Sequence, residues 1–255
     1  MATIIEEVRQ AGDLPADPFR YGWRYRQSFD ADGLLVVEQI PLTVEDLLHP
    51  QEGDQVTHRA EHQRRRRYLC DIFEAQLRHD PTAVVLDDVR VAWDIPDLGA
   101  HGPDIAVILG VRERQNWSTF DVAQEGVRPA LLIEITSPET ASIDRSVKLE
   151  EYEVAGVPLY VIIDGVSRRR DTMLRILAYE LTLIGDQPAN PNKRGWFWLA
   201  PVGLWLGIVE GELTCFDENE RRLGNFVTQL DRAEAAEQRV KELEAELQRL
   251  RDGAR

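Results

Sequence analysis

Apolar and polar positions follow three different rhythms along the chain. From Tyr21, aromatic and polar residues alternate through Tyr-Gly-Trp-Arg-Tyr-Arg-Gln-Ser-Phe. An Asp-Gly signal follows and a second apolar run begins at Leu34, a pattern that predicts a β-hairpin. The residues before it, with Gly12, Pro15 and Pro18, read as a weakly ordered lead-in. Thr43 with Glu45 and Asp46 marks the start of a short helix that Pro50 and Gly53 close. Between about Thr57 and Arg78 the period becomes helical, with Leu69, Ile72, Phe73 and Leu77 on one face. Extending that face backwards at about 100° per residue brings Glu61, His62 and Arg65 to the same side, so polar groups continue the core-facing stripe past the core.

Short apolar runs with strand character come next, at Ala83 to Leu86, Val89 to Trp93, Ile105 to Leu109, Ala130 to Thr136 and Leu159 to Ile163. A helix is predicted between the last two, from about Ile143 to Ala155, opened by Ser142 or Asp144 and ended by Gly156. A strand, a helix and a strand in succession favour parallel pairing of those two strands. Met173 to Leu183, Trp196 to Leu199, Gly203 to Val209 and Glu212 to Phe216 are β-rich and are expected to extend the sheet through antiparallel strands. The alternation of Trp196, Trp198 and Trp205 with apolar residues fits packing on a sheet better than base stacking. The expected class is α/β (α+β), a mixed β-sheet flanked by helices.

After Asn225 the rhythm becomes heptad. Phe226, Ala233, Val240, Leu247 and Ala254 take one seam position, and Gln229, Ala236, Leu243 and Leu250 take the other. In a parallel, in-register pair Arg232 would face Glu237, Arg239 would face Glu244 and Glu246 would face Arg251, all attractive. A coiled-coil homodimer and an amphipathic helix folded back on its own domain both satisfy this short run. The expected organisation is an N-terminal extension over 1–41 with the hairpin, a main domain over 42–224 and a coiled-coil tail over 225–255.

Composition narrows the partners. The 255 residues carry a formal net charge of −15, which opposes tight, non-specific binding to a polyanion unless basic residues are gathered locally. The dense basic runs are Arg64 to Arg67 and Arg168 to Arg170, and four consecutive arginines on a helix point in every direction. Cys70 and Cys215 lie far apart without metal-site spacing, and the amino terminus has no long apolar run. A reduced, cytoplasmic protein without a membrane span is expected. His49, His58, His79 and His101 lack ligand spacing and read as solvent or loop residues. No Gly-rich phosphate loop, nucleophile elbow or zincin helix is present.

The chemistry concentrates in two apolar strands that each carry one carboxylate, Asp104 after a Gly-Pro turn and Glu134 amid Ala-Leu-Leu-Ile-Glu-Ile. Burying an isolated charge costs several kcal/mol unless a cation or donor replaces its water, so both ask for a partner. If the runs pair, the carboxylates meet at one end of the sheet, and a divalent metal relieves their conflict. Lys148 follows in the next helix, one turn before Tyr152, with a stem long enough to reach the sheet edge. A metal, two carboxylates and a lysine suffice for phosphodiester hydrolysis. Asp104 could equally brace its turn, and Lys148 could pair with Glu151 or Tyr152 on the surface.

Gly-Pro-Asp-Ile-Ala-Val, Leu-Ile-Glu-Ile-Thr-Ser-Pro and Asp-Arg-x-x-Lys-x-x-x-Tyr-x-x-x-Gly-Val-Pro-x-Tyr-x-x-x-Asp together resemble the Uma-type endonuclease family. That family is a branch of the PD-(D/E)xK restriction-endonuclease-like superfamily, and the resemblance runs from roughly Leu42 to Phe216. It implies a restriction-endonuclease-like core and a Mg²⁺- or Mn²⁺-dependent endonuclease acting on DNA. Asp104 and Glu134 would be the metal ligands and Lys148 the third catalytic residue. The chain departs from the superfamily where a lysine is expected two residues after the glutamate: Thr136 stands there, and Lys148 looks like its migrated substitute. The resemblance adds Glu61 and His62, with Tyr152 beside Lys148, as accessory candidates. The rival reading is a catalytically silent module of the same fold that dimerises or binds partners through the coiled coil.

Overall fold

The computed structural model describes residues 17–56, 59–136, 141–168, 171–224, 237–244 and 249, with the side chains of 166–168 and 171–172 excepted. The lead-in up to residue 16, His58, Ser137 and Pro138 of the glutamate motif, Arg169 and Arg170, and most of the heptad tail lie outside the described residues.

The hairpin forms as expected. β1 (Gly22–Phe29) and β2 (Leu35–Pro41) pair antiparallel from Phe29↔Leu35 to Trp23↔Pro41. At the turn, Asp30 Oδ1 accepts from the backbone N–H groups of Asp32 and Leu34, with Gly33 left-handed at φ 80°. Helix α1 (Val44–Leu48) follows, and Thr43 and Asp46 form a reciprocal capping box at its start. β3 (Gln55–Val56) then returns to pair with the first residues of β1. At Gly22, φ is 113° and a Cβ would come within 1.8 Å of the Gln55 carbonyl oxygen, so only glycine permits this closure.

Helix α2 (Ala60–Leu77) buries Leu69, Ile72 and Phe73, the expected stripe, and also Arg66. β4 (Val84–Asp87), β5 (Arg90–Ala92), β6 (Ile105–Ile108), β7 (Thr119–Asp121), the short helix α3 (Val122–Glu125) and β8 (Pro129–Ile135) follow. Beyond them lie α4 (Ala141–Arg145), α5 (Val147–Val154), β9 (Leu159–Arg168), β10 (Asp171–Thr182) and β11 (Gly185–Pro188). Six strands form one sheet in the order β11-β10-β9-β8-β6-β4. β8 and β9 are parallel, as the strand-helix-strand pattern required, and the other pairs are antiparallel. β5 and β7 make a separate parallel pair.

Alternation sorts the sheet's two faces. Ile105, Val107, Leu131, Ile133, Val161 and Ile163 pack with α2, while Ala106, Ile108, Leu132, Tyr160 and Ile162 pack with Tyr152 and Ala155 of α5 and its C-terminal cap. Both faces are covered, which is why these strands read as nearly unbroken apolar runs. Glu134 falls on the α5 face.

Two expectations are corrected. The helix expected from Ile143 to Ala155 is two helices, broken at Ser146 with φ −127° and ψ −73°. At the break, side chains take over carbonyls: Ser146 Oγ donates to the Ser142 carbonyl at 2.6 Å and Arg145 Nε to that of Ala141 at 2.7 Å. The end at Gly156 stands, with φ 71° and Gly156 and Val157 donating back to the Glu153 and Tyr152 carbonyls, a Schellman closure. Of the later strands, only β10 and β11 extend the main sheet. β12 (Phe197–Leu199), β13 (Leu204–Val209) and β14 (Glu212–Phe216) form their own antiparallel sheet, whose Leu199, Leu204, Leu206, Leu213 and Cys215 join the core on the α2 face. Gly207 admits the Trp196 ring there, which would lie 2.1 Å from a Cβ, and Trp196 stacks on Phe216 with centroids 3.7 Å apart. Across the face, the apolar side of these strands is buried in the same core that the α2 side of the main sheet builds.

Residues 237–244 are helical and exposed throughout; a coiled coil is not visible among the described residues. No helix is long and apolar enough to cross a membrane among the described residues.

Candidate active site

The register of the central sheet brings the two carboxylates together. Ile105 opposes Ile133 across the antiparallel β6 and β8, so Asp104 and Glu134, one step further, face each other where the pair ends. Both are buried, at 7% and 3% exposure. Asp104 Oδ2 accepts from the Ile135 backbone N–H at 2.7 Å and faces His62 Nε2 at 3.0 Å, while the Arg66 guanidinium approaches Oδ1 at 4.0 Å. The helical stripe that pointed His62 inward thus delivers it to the aspartate.

Glu134 is served from α5. Lys148 Nζ lies 2.9 Å from Glu134 Oε1, and Tyr152 Oη, one helical turn later, donates to the same oxygen at 2.9 Å. A further residue, Asp144, completes the ion cluster with Oδ1 3.1 Å from Lys148 Nζ. Its backbone carbonyl accepts from Tyr160 Oη at 3.0 Å, so sheet and helix fix it together. Asp144 was read as a helix opener and as the first residue of the Asp-Arg-x-x-Lys motif, with no role at the site, although its i,i+4 spacing to Lys148 is the signal of a helical ion pair. Arg66 was missed as well; it lies one turn after His62 and three residues before Leu69, on the stripe itself.

Burial pushes the Glu134 carboxyl up to about 8; Lys148 opposes this, and Asp144 and Asp104 add to it. Burial also works against the Lys148 ammonium, yet Glu134 and then Asp144 outweigh it and raise its pKa. Lys148 is therefore a fixed cation and not a proton acceptor. The Tyr152 hydroxyl is raised well above its usual value by burial first, with Glu134 beside it, and remains a donor.

Glu61 lines the same cavity, but its carboxylate is largely exposed and pairs with Arg65 at 3.3 Å. Thr136, where the superfamily has its lysine, donates its hydroxyl to Asp164 Oδ1 at 3.0 Å. That buried aspartate is ion-paired to Arg175, with Arg145 3.8 Å away.

His101 corrects the reading of the scattered histidines: it is fully buried. His101, His49 and Glu151 bring one ligand atom each within 4.8 Å of one another, which suggests a metal site by distance alone. The hydrogen bonds oppose it. Trp93 Nε1 can only donate, and it donates to His101 Nδ1 at 2.7 Å, which leaves the ring proton on Nε2, facing Glu151 Oε2 at 2.6 Å. A metal at Nε2 would demand an imidazolate, the reverse of the usual arrangement in which the second ring nitrogen donates. Trp93, His101 and Glu151 form a hydrogen-bonded brace that holds α5, one turn from Lys148, against the loop before Asp104, with the His49 ring packed on His101. Gly99 allows it, since a Cβ there would come within 2.3 Å of His49 Nδ1.

The two carboxylates, Asp144 and Lys148 face a cavity of about 750 Å³. Hard oxygen donors beside an ammonium at its floor are suited to binding a divalent cation and a phosphate together.

No curated protein matches the chain. Among solved structures it is similar to a “putative nuclease belonging to DUF820” from Anabaena variabilis, at 15% identity and a TM-score of 0.34, over 56% of this chain and 73% of that one. The family Uma2, described as “Putative restriction endonuclease”, matches residues 55–196, a stretch that contains Glu61, His62, Asp104, Glu134, Asp144, Lys148 and Tyr152. With more than half of its length matched, the chain belongs to the Uma2 family.

Proposed function

We propose that the protein is a divalent-metal-dependent endonuclease that hydrolyses phosphodiester bonds in DNA, with Asp104, Glu134 and Lys148 at its centre. The observation that carries this is the meeting of Asp104 and Glu134 across β6 and β8 with Lys148 2.9 Å from Glu134, in a chain of this family. The residues fit Mg²⁺ or Mn²⁺. Asp104 and Glu134 offer hard oxygen donors, and burial, which raises the Glu134 carboxyl against the pull of Lys148, favours a further cation beside it.

When bound, a divalent ion supplies Lewis-acid polarisation of the phosphate and a more acidic water. The chain supplies position and fixed charge. His62 and the Ile135 N–H orient Asp104 through Oδ2. Tyr152 holds the Glu134 rotamer. Asp144 would keep the Lys148 ammonium in place were Glu134 to hold a metal ion, leaving a positive charge beside the phosphate oxygens, where negative charge develops in hydrolysis. Glu61 is an accessory group at the rim.

The test is cleavage of supercoiled plasmid and single-stranded circular DNA with Mn²⁺ or Mg²⁺. Wild type is expected to cut at least one of them and Glu134→Ala to cut neither. Equal products from both proteins, or none from wild type, reject the reading.

The chain is further proposed to work as a homodimer through its C-terminal helix. Val240 and Leu243, one from each seam position, are 53% and 43% exposed on the described turns, which favours a partner helix over a fold-back onto the domain.

A further inference from the structure

The cavity's walls bear on what kind of strand can reach the carboxylates. One side is built by the stretch from Leu47 to Val56, the end of α1 and the loop into β3. That stretch is fastened to the core and to the hairpin. Arg90 Nε donates to the Pro50 carbonyl at 2.9 Å, and Ser118 Oγ to Glu52 at 3.1 Å. His49 packs on His101 with ring centroids 5.3 Å apart, and Arg24 pairs with Asp46 and, at 2.9 Å, with Asp54. The opposite side is the start of α2, with Glu61, His62 and Arg65. Asp104 and Glu134 lie between, at under a tenth of their full exposure.

A volume of about 750 Å³ is that of a pocket enclosing a small ligand, typically ~300–1,000 Å³, enough for one or two nucleotides. A duplex is far larger, with a major groove alone ~12 Å wide, and its phosphates stay on its outer flank. Carboxylates under a tenth exposed between two braced walls are set back from a duplex's outer phosphates, whereas an unpaired strand can thread in. Arg20, Arg59, Arg65 and Arg90 line the walls among Glu52, Asp54, Glu61 and Asp88, so guanidinium groups stand beside the path of a strand although the lining as a whole is not basic.

We infer that the substrate of this site is an unpaired polynucleotide strand, a single-stranded stretch, flap or frayed end, and not a continuous duplex. The inference rests on the nuclease reading and names the substrate class of the same site. The arginines take the phosphates that flank the bond to be cut, and the Leu47 to Val56 wall excludes the complementary strand.

The experiment compares a fluorescent deoxy-oligonucleotide as single strand, blunt duplex and forked duplex, with the full chain. Cleavage is read with Mn²⁺ and binding by anisotropy with Ca²⁺. The single strand and the unpaired arm of the fork are expected to be cut, with cuts mapping inside the arm and blunt duplex slower by at least about tenfold. Binding should follow the same order. Arg59→Ala/Arg65→Ala should bind the single strand about tenfold more weakly with an unchanged melting temperature. Blunt duplex cut and bound as well as single strand overturns the inference and leaves the nuclease reading intact. Single-strand preference in binding without any cleavage keeps the occupant and overturns the nuclease reading. Binding to no form overturns both. A ribo-oligonucleotide of the same sequence, bound and cut better, keeps the unpaired strand and overturns its deoxyribose.

Discussion

At the scale of the residue, the site is a problem of charge. Asp104, Glu134 and Asp144 surround one buried ammonium, and Glu134 is the group that gives way, its carboxyl pushed up to about 8 from 4.5 by burial first. Below the lower value both folded and unfolded chains hold this proton. Between the two values the unfolded chain releases it while the folded chain keeps it, so folding stability falls as pH rises through that window. Metal-free wild type should therefore lose stability relative to Glu134→Gln from pH 5 to 9, by on the order of a few kcal/mol. Urea denaturation in EDTA at several pH values measures it, and a difference between the two proteins that does not change with pH rejects the shift. Asp144 lends itself to a second measurement. Asp144→Asn leaves Lys148 with Glu134 as its one ion-pair partner among the described residues, so kcat should fall by about ten- to a hundredfold with KM little changed, the pattern of a group whose effect is felt in the transition state. A loss confined to KM would reassign Asp144 to substrate binding.

Elements explain how much of this was legible. Asp104 and Glu134 could be picked out because a charged residue in or beside a strand-like apolar run breaks a pattern, and Lys148 because it follows in the next helix within the family's motif. His62 could be placed because helical periodicity points inward whatever the residue type. Arg66 lay on the same stripe but was hidden in a run of four arginines, where composition suggests a solvated surface. The brace of Trp93, His101 and Glu151 could not be read, because three distant segments meet only once the sheet has formed. The second sheet was misjudged for the same reason: alternation tells that a strand has a buried face but not what buries it. The break at Ser146 was invisible to propensity, since Ile143 to Ala155 has no glycine or proline inside it. Its far end was visible. Gly156 is left-handed at φ 71°, and a Cβ would also meet Arg128 Nη1 at 3.1 Å. Gly156→Ala should thus cost about 1 kcal/mol or somewhat more in denaturant titration. Because the Schellman closure seats the helix that carries Lys148 and Tyr152, activity at a permissive temperature should fall further than the folded fraction does. Activity that tracks the folded fraction alone would detach the helix end from the site.

For the whole molecule the open structural question is the tail. A helix of a few turns is marginal in water on its own, because nucleation costs more than a short run of backbone hydrogen bonds returns. The described turns, 237–244, receive no cover from the domain, and Val240 and Leu243 stand exposed on them. The heptad positions on either side continue the same seam to Leu247 and Leu250, while Gln229, Ala233 and Ala236 weaken its first half. Pairing two copies would bury the apolar seam and bring Arg239 of one helix against Glu244 of the other. The full chain should then give twice the chain mass in light scattering, dissociating on dilution as a weak seam requires. A chain ending at Gly224 should give a single mass at every concentration. Leu243→Glu/Leu250→Glu, which keeps the length and the helix propensity but puts charge in the seam, should behave as the truncated chain does. Equal monomeric masses for all three would return the tail to a solvated helix and leave each catalytic domain to act alone.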